Sequence, residues 1–157
     1  VYLSTQNESA YKDPLCGVYN RRYYMDYVRS FCNSRKKDDF LVGILMDMDN
    51  FKQINDNYGH YAGDKALQLF GSVLRKQIGD IGFAVRYGGD EFILISKQSE
   101  AVVNTVVANI VKEIEEINEK GKIQSNFIVN SIRIIEDKTI DISDCGASYE
   151  AYQKIKK

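Results

Sequence analysis

Apolar residues along the chain follow two periodicities, which predict helices and strands in turn. They recur at helical spacing over residues 18–33, 64–76 and 99–120, which predicts three amphipathic helices. A nearly continuous apolar run over residues 40–46 predicts a central strand with both faces covered. Further predicted elements are a short helix over residues 51–57, a strand over residues 127–135 and a final helix over residues 144–157.

A Gly-Gly pair stands between two runs rich in β-branched and aromatic residues, residues 83–87 and 92–96. This arrangement predicts a tight antiparallel hairpin, whose favoured turns need positive φ angles. Asp90 and Glu91 follow the glycines directly. Adjacent carboxylates at a strand start are unfavourable unless a cation lies opposite them. The turn is therefore predicted to present acids to a metal ion or a reacting hydroxyl.

The order of elements is strand, helices, hairpin, helix, strand, helix. A hairpin joined to helical crossovers predicts an α+β fold, with a mixed β-sheet covered by helices in a ferredoxin-like arrangement. The length of 157 residues suits one domain. We expect a polar lead-in segment over residues 1–12 and one domain over residues 13–157.

Composition narrows the choice of partners. The net charge of −1 gives no basic field that would attract nucleic acid or an anionic membrane, so neither is expected as a partner. Three cysteines without a CxxC pair favour a reducing, cytoplasmic location. No apolar run is long enough to span a membrane, and no signal peptide is visible. The absence of an initial Met predicts a part of a longer protein, whose membrane anchoring is left open.

Acidic residues cluster where the central strand ends. Asp47 and Asp49 flank Met48, and the side-chain period of two places both acids on one face of the strand. If this strand neighbours the hairpin, Asp47, Asp90 and Glu91 converge. Such carboxylates repel one another unless a divalent cation neutralises them, and Mg²⁺ is the usual oxygen-liganded choice at phosphate sites. The pattern is typical of phosphoryl or nucleotidyl transfer.

Polar residues of the next two helices extend this constellation. Lys52 and Asn55 share a helical face, and Lys52 follows the acids closely enough to meet terminal phosphates. Asn55 carries both a donor and an acceptor, and Asp64 carries acceptors only, a combination that favours guanine over adenine. Asp64 could instead cap its helix.

Each feature has an ordinary alternative when it is taken alone. A lone Asp-x-Asp is commonly a solvated strand end, a Gly-Gly is commonly only a turn, and a lone lysine is commonly on the surface. His60 is interpreted as a loop or structural residue. Arg86 pairs either with an acid or with a phosphate. The constellation gains weight because all of these features follow in order within a short stretch.

Two blocks of the sequence, residues 45–64 and 86–92, resemble the GGDEF-domain diguanylate cyclases. Residues 13–22 are similar to the motif that opens that domain, with Cys16 where Thr is usual. The resemblance implies a nucleotidyl-cyclase, polymerase-palm-like α+β fold. It also implies a nucleotidyltransferase that condenses two GTP molecules into cyclic di-GMP with release of pyrophosphate. Such a domain would be the catalytic output domain of a larger bacterial signal-transduction protein.

The resemblance also implies roles for individual residues. Metal ligands for Mg²⁺, with Mn²⁺ as the alternative, would be Asp47, the carbonyl of Met48 and Asp90. Asp90 and Glu91 would lie near the 3′-hydroxyl that loses its proton, and Lys52 would meet the terminal phosphates. Guanine would be bound by Asn55 and Asp64, and the nucleotide would be approached by the backbone of Gly88 and Gly89.

Each subunit would hold one GTP, so catalysis would require a homodimer. Dimerisation is expected to come from an N-terminal sensory or dimerisation domain that this chain does not contain. The resemblance therefore predicts a weak enzyme when the domain is alone.

Two further departures from the family pattern bear on function. Many members carry an inhibitory Arg-x-x-Asp product site before the signature, and here Gly79 and Gly82 stand at those positions. We therefore predict no feedback inhibition by that route. In the last helix the phosphate-contacting lysine falls on Ile155, with Lys154 and Lys156 on either side. This supports an alternative, a degenerate module that binds GTP or a partner without turnover.

Overall fold

The computed structural model describes residues 9–34, 36–48 and 50–120, together with the backbone of residues 133–136. Its strands are β1 (Tyr19–Asn20), β2 (Val42–Asp47), β3 (Gly82–Arg86), β4 (Glu91–Ser96) and β5 (Arg133–Glu136). Its helices are α1 (Arg21–Ser34), α2 (Phe51–Tyr58), α3 (His60–Ile78) and α4 (Glu100–Glu119), with a short 3₁₀ turn at Gly79–Ile81.

The strands form one mixed sheet in the order β1-β3-β4-β2-β5. Only the β1–β3 pair is parallel, and β3–β4, β4–β2 and β2–β5 are antiparallel. The central position of β2 explains its nearly continuous apolar run, because both of its faces must be covered. The predicted α+β fold, a mixed sheet covered by helices, is confirmed.

The two faces of the sheet bury different residues of the same strand. Ile44 and Met46 of β2 point to the face covered by α3 and α4. Leu45 points to the opposite face, where Tyr24 and Val28 of α1 pack. Alternating burial on both faces fixes the register of β2, since a slip by one residue would exchange every side chain between the two cores. The end of β2, and with it Asp47, is thereby held in place.

Two helices begin at other residues than predicted, because a capping side chain or a glycine determines where each one starts. Helix α1 begins at Arg21 rather than at residue 18, because the side chain of Asn20 accepts a hydrogen bond from the Tyr23 N–H (3.0 Å) and caps the helix. Helix α3 begins at His60, directly after Gly59 with its φ of 88°. Asp64 therefore lies inside α3 and does not cap it.

The predicted primed turn of the hairpin is wrong, because neither Gly88 nor Gly89 has a positive φ. The connection between β3 and β4 spans residues 87–90 instead. The N–H groups of Tyr87 and Gly88 both donate to the carbonyl of Glu91, at 2.8 and 3.3 Å. This wider loop needs no left-handed residue, so the turn conformation does not explain the two glycines.

Several predicted features lie outside the described residues. They are Asp49, Cys145, residues 127–132 of the predicted strand and the whole final helix with Lys154, Ile155 and Lys156. Among the described helices, none combines the length and apolar character that a membrane span requires. Of the other cysteines, Cys16 is buried and Cys32 is exposed.

Candidate active site

Sheet pairing brings the acidic residues of two strands together. Asp47, the last residue of β2, stands opposite Glu91, the first residue of β4. One residue further on, the Met48 N–H donates to the carbonyl of Asp90 at 3.2 Å. The side chains of Asp47, Asp90 and Glu91, here called the acidic edge, therefore lie together at one end of the sheet. The predicted convergence depended on the central strand lying beside the hairpin, and the pairing of β2 with β4 meets that condition.

The environment of Asp47 is unfavourable for its charge. The pKa of its carboxyl is raised to about 6, first by burial and then by the neighbouring Asp90 and Glu91. Its Oδ1 atom is buried, and it has no hydrogen-bond partner among the described residues. A buried carboxylate oxygen without a partner is costly, so the site favours a proton or a cation at this position.

The donor set suits a cation that arrives together with a phosphate ligand. Within the described part of the chain, no group of three or more histidine, cysteine or acidic side chains is arranged so that it could hold a metal ion by itself. Mg²⁺ is usually held by one or two carboxylates plus substrate phosphates and water, and seldom by an all-protein cage. Asp47 and Asp90, together with the adjoining backbone of Met48, match that incomplete type of site.

The loop that carries Gly89 and Asp90 is held by Arg86. Its Nε and Nη2 atoms donate to the carbonyl of Gly89 at 3.1 and 2.8 Å. Its Nη1 atom lies 3.4 Å from Oδ2 of Asp13, and both side chains are less than a fifth exposed. Arg86 thus pairs with an acid, which decides between the two alternatives left open for it.

Asp13 is itself fixed by the backbone around it. Its Oδ1 atom accepts hydrogen bonds from the N–H groups of Leu15 (3.0 Å) and Cys16 (2.8 Å). The turn that begins at Asp13 is thereby tied to the Gly-Gly loop through one guanidinium group. We call Asp13, Arg86 and the Gly89 carbonyl the arginine clamp.

The first glycine of the loop makes room for an acidic side chain. A Cβ atom on Gly88 would lie 2.8 Å from Oε2 of Glu91, closer than real contacts allow. The glycine therefore lets the Glu91 carboxylate fold back beside the loop. A Cβ on Gly89 would meet no atom within 4 Å, so Gly89 faces open space.

Helices α2 and α3 carry the remaining predicted residues. Lys52 and Asp64 are exposed, and Asn55 is half-buried. The fully buried Ile54 anchors α2 to the core. Gly63, the neighbour of Asp64, lies against the Asn55 side chain, with 2.9 Å between Asn55 Cγ and the place of a Cβ. The structure thus places Asn55 and the turn that carries Asp64 side by side.

The sequence predicted no role in the site for Asp13 or Gly63, and it left open whether Arg86 pairs with an acid or with a phosphate. Nothing in a single sequence links positions 13 and 86. The link arises because β1 pairs with β3 and places Asn20 opposite Arg86. A signal was nevertheless present at Gly63, since a glycine inside a strongly helical pattern often has a packing reason.

Comparisons with known proteins identify the family and the fold. The sequence matches the family profile "Diguanylate cyclase, GGDEF domain" over residues 10–140. It is 38% identical over 96 residues to the diguanylate cyclase DgcP of Pseudomonas aeruginosa. It is 40% identical over 84 residues to the diguanylate cyclase DgcS of Shewanella oneidensis. These alignments cover 60% and 53% of this chain, but only 14% and 28% of the two relatives.

A solved structure shares the fold over nearly the whole chain. It contains the coiled coil and GGDEF domain of DgcB from Caulobacter crescentus in complex with c-di-GMP. The TM-score is 0.76 at 24% identity, and the match covers 98% of this chain and 80% of that one.

The mixed sheet and its covering helices define a palm-like α+β domain. Because the profile matches most of its length, the chain belongs to the GGDEF domain family, whose curated relatives are named as diguanylate cyclases. The profile begins at residue 10, and the division between residues 12 and 13 stays a prediction.

Proposed function

We propose that this chain is the catalytic part of a diguanylate cyclase, which condenses two GTP molecules into cyclic di-GMP and pyrophosphate. One observation carries the proposal. The buried, unpartnered oxygen of Asp47 is held beside Asp90 and Glu91 at a sheet end. Such a set of carboxylates is suited to a cation with bound triphosphate and to the proton of a sugar hydroxyl.

The reaction forms two phosphodiester bonds. In each, a 3′-hydroxyl oxygen of one GTP attacks the α-phosphorus of the other, and the bond to the β-phosphate oxygen breaks. The hydroxyl proton leaves toward the carboxylate of Asp90 or Glu91, and pyrophosphate departs. Two such steps close the ring and release two pyrophosphates.

Asp47, the Met48 carbonyl and Asp90 are the residues that would hold Mg²⁺, with Mn²⁺ as the alternative. When bound, the ion neutralises the clustered carboxylates and the charge that develops on the phosphates. The arginine clamp keeps the Asp90 loop in one conformation, so that the carboxylate does not have to reorganise during the reaction.

Substrate recognition would fall to α2, which begins shortly after the end of β2, and to α3, which follows it. Lys52 is exposed and free to reach the terminal phosphates as a compact charge. Asn55 and Asp64 would hold the guanine edge, since guanine presents donors where adenine does not. Gly88 and Gly89 would let the nucleotide approach the loop backbone closely.

Each chain would bind one of the two GTP molecules. The hydroxyl of one GTP must meet the phosphate of another, so two chains face each other in a homodimer. Because the chain spans 14% and 28% of the relatives compared, we also propose that a further domain of the natural protein controls this pairing.

The experiment uses the chain fused to a dimerising leucine zipper, supplied with GTP and Mg²⁺. We expect cyclic di-GMP, identified by mass spectrometry, and its loss in the Asp90→Ala variant. Asp80→Ala is the matched control, because Asp80 is exposed in the 3₁₀ turn away from the acidic edge. GTP binding without product would instead support the degenerate module, and absence of both would contradict any nucleotide function.

A further inference from the structure

Helices α2 and α3 contact each other at Gly63 and the Asn55 side chain. A Cβ atom built on Gly63 would overlap Oδ1 of Asn55 and lie 2.9 Å from its Cγ. Real Cβ atoms essentially never come this close to another heavy atom. Glycine is thus the only residue at position 63 that leaves the Asn55 side chain where it stands.

The backbone at position 63 does not explain the glycine. Gly63 is not among the residues with positive φ, and its N–H donates to the Gly59 carbonyl at 3.3 Å as in an ordinary helix. Glycine inside a helix is unfavourable compared with alanine. The missing Cβ, and not conformational freedom, is therefore what this position uses.

The atoms that a Cβ would meet belong to the amide end of Asn55. This end is flexible, so a larger residue at position 63 would push the amide aside without breaking the core. We therefore expect a larger residue at position 63 to displace the Asn55 amide group and to leave the stability of the fold unchanged.

We infer that Gly63 is a positioning residue, which sets the Asn55 amide for guanine recognition beside Asp64. The inference rests on the proposed GTP-binding function and deepens it. An amide offers one acceptor and two donors in fixed directions, so it discriminates between bases only while its orientation is fixed. Gly63 contributes by leaving room for the amide to lie against the backbone of α3, in an orientation that a Cβ would exclude.

The test is the Gly63→Ala variant of the chain, with binding of GTP and ATP measured by calorimetry. We expect GTP affinity to fall about tenfold, as for the loss of a hydrogen bond or two, and ATP affinity to stay unchanged. The midpoint of thermal unfolding should stay equal or rise, because alanine favours the helix. If Gly63→Ala loses the preference for GTP and keeps its thermal stability, the glycine acts by positioning Asn55 and not by supporting the fold.

A double-mutant cycle shows whether Gly63 acts through Asn55. In the Asn55→Ala background, Gly63→Ala should cause no further loss of GTP affinity, since the displaced amide is already gone. Gly71→Ala is the matched control in the same helix. A Cβ there would lie 2.9 Å from Cys16 Cβ, so this variant should lower the unfolding midpoint and keep the preference for GTP.

Two outcomes would overturn the inference alone: wild-type preference for GTP in Gly63→Ala, or a loss that adds fully to that of Asn55→Ala. If the unaltered chain binds no GTP, the proposed function fails and the inference fails with it.

Discussion

The acidic edge and the helical residues beside it are built in opposite ways. Asp47 and Glu91 stand on paired strands. Arg86 holds the loop before Glu91 with two hydrogen bonds to the Gly89 carbonyl and ties it to Asp13 with a third. Lys52 and Asp64 stand on helix surfaces, exposed to solvent. Between these helices, Gly63 lies against the side chain of Asn55.

This difference follows from what each part would do. Charge changes at the acidic edge during the proposed reaction, and groups fixed beforehand stabilise such charge best. Base recognition needs hydrogen bonds that form on binding, and exposed groups can supply them at small cost to the fold. Variants at the acidic edge should therefore reduce turnover, and variants on the helices should change which nucleotide binds.

The largest effect is expected for Asp47→Asn. The amide keeps the size of the side chain and removes the negative charge, so turnover of GTP by the zipper-fused dimer should fall at least about 10²-fold. Stability without metal should not fall, because the repulsion from Asp90 and Glu91 is relieved. Asp38→Asn, in an exposed turn, is the control. Turnover within about tenfold of wild type would contradict a role for Asp47 at the reacting centre.

A smaller effect is expected when the arginine clamp is opened by Arg86→Gln. The Gly89 carbonyl loses two donors and Asp13 loses its partner. Loss of such supporting contacts typically costs about 10–100-fold, and it should appear in kcat more than in KM. Steady-state kinetics of the dimerised protein measures the split.

Arg29→Gln is the matched control for the clamp. Arg29 lies 3.8 Å from Asp26 in an exposed ion pair, which should contribute little. Equal kinetics in both variants would show that the clamp has no part in catalysis.

Asp64→Asn should affect binding more than turnover. It keeps the size of the side chain and exchanges an acceptor for a donor, so the preference for GTP over ATP should fall about tenfold. Competition of the two nucleotides in a binding assay measures this preference. Asp56→Asn, on the exposed part of α2, is the control. A large fall in kcat with unchanged preference would place Asp64 with the acidic edge instead.

The same contrast explains what the sequence could predict. The apolar run of β2 and the β-rich runs around the glycines have strong periodicity, so the strands themselves followed from local pattern. The meeting of Asp47 with Glu91 was predicted only on the condition that β2 lies beside the hairpin, which the structure meets. The start of α1 at Arg21 depended on a cap by Asn20, and such boundaries are weakly encoded.

Long-range contacts were not accessible from pattern. The pairing of Arg86 with Asp13 joins residues 73 positions apart, and it depends on a strand of only two residues. The φ angles of Gly88 and Gly89 were predicted wrongly, because a hairpin rule assumes a two-residue turn and this loop is longer. The packing of Gly63 on Asn55 required the relative position of two helices.

The smallest expected effect is a pH dependence of stability in the absence of metal. The pKa of Asp47 is raised from 3.8 to about 6 in the folded chain, first by burial and then by Asp90 and Glu91. The folded state therefore binds this proton more tightly than the unfolded state.

The resulting stabilisation is complete below the unfolded pKa of Asp47 and is lost as the pH rises through its folded pKa. Relative to Asp47→Asn, the wild-type unfolding midpoint should thus fall by on the order of a few degrees between about pH 4 and pH 6. Comparing the two proteins at each pH in a chelating buffer cancels the other titrating groups. A difference that is constant, or that grows in favour of wild type as the pH rises, would show that Asp47 is not held among like charges. The acidic edge would then lack the repulsion that distinguishes it from the helical residues.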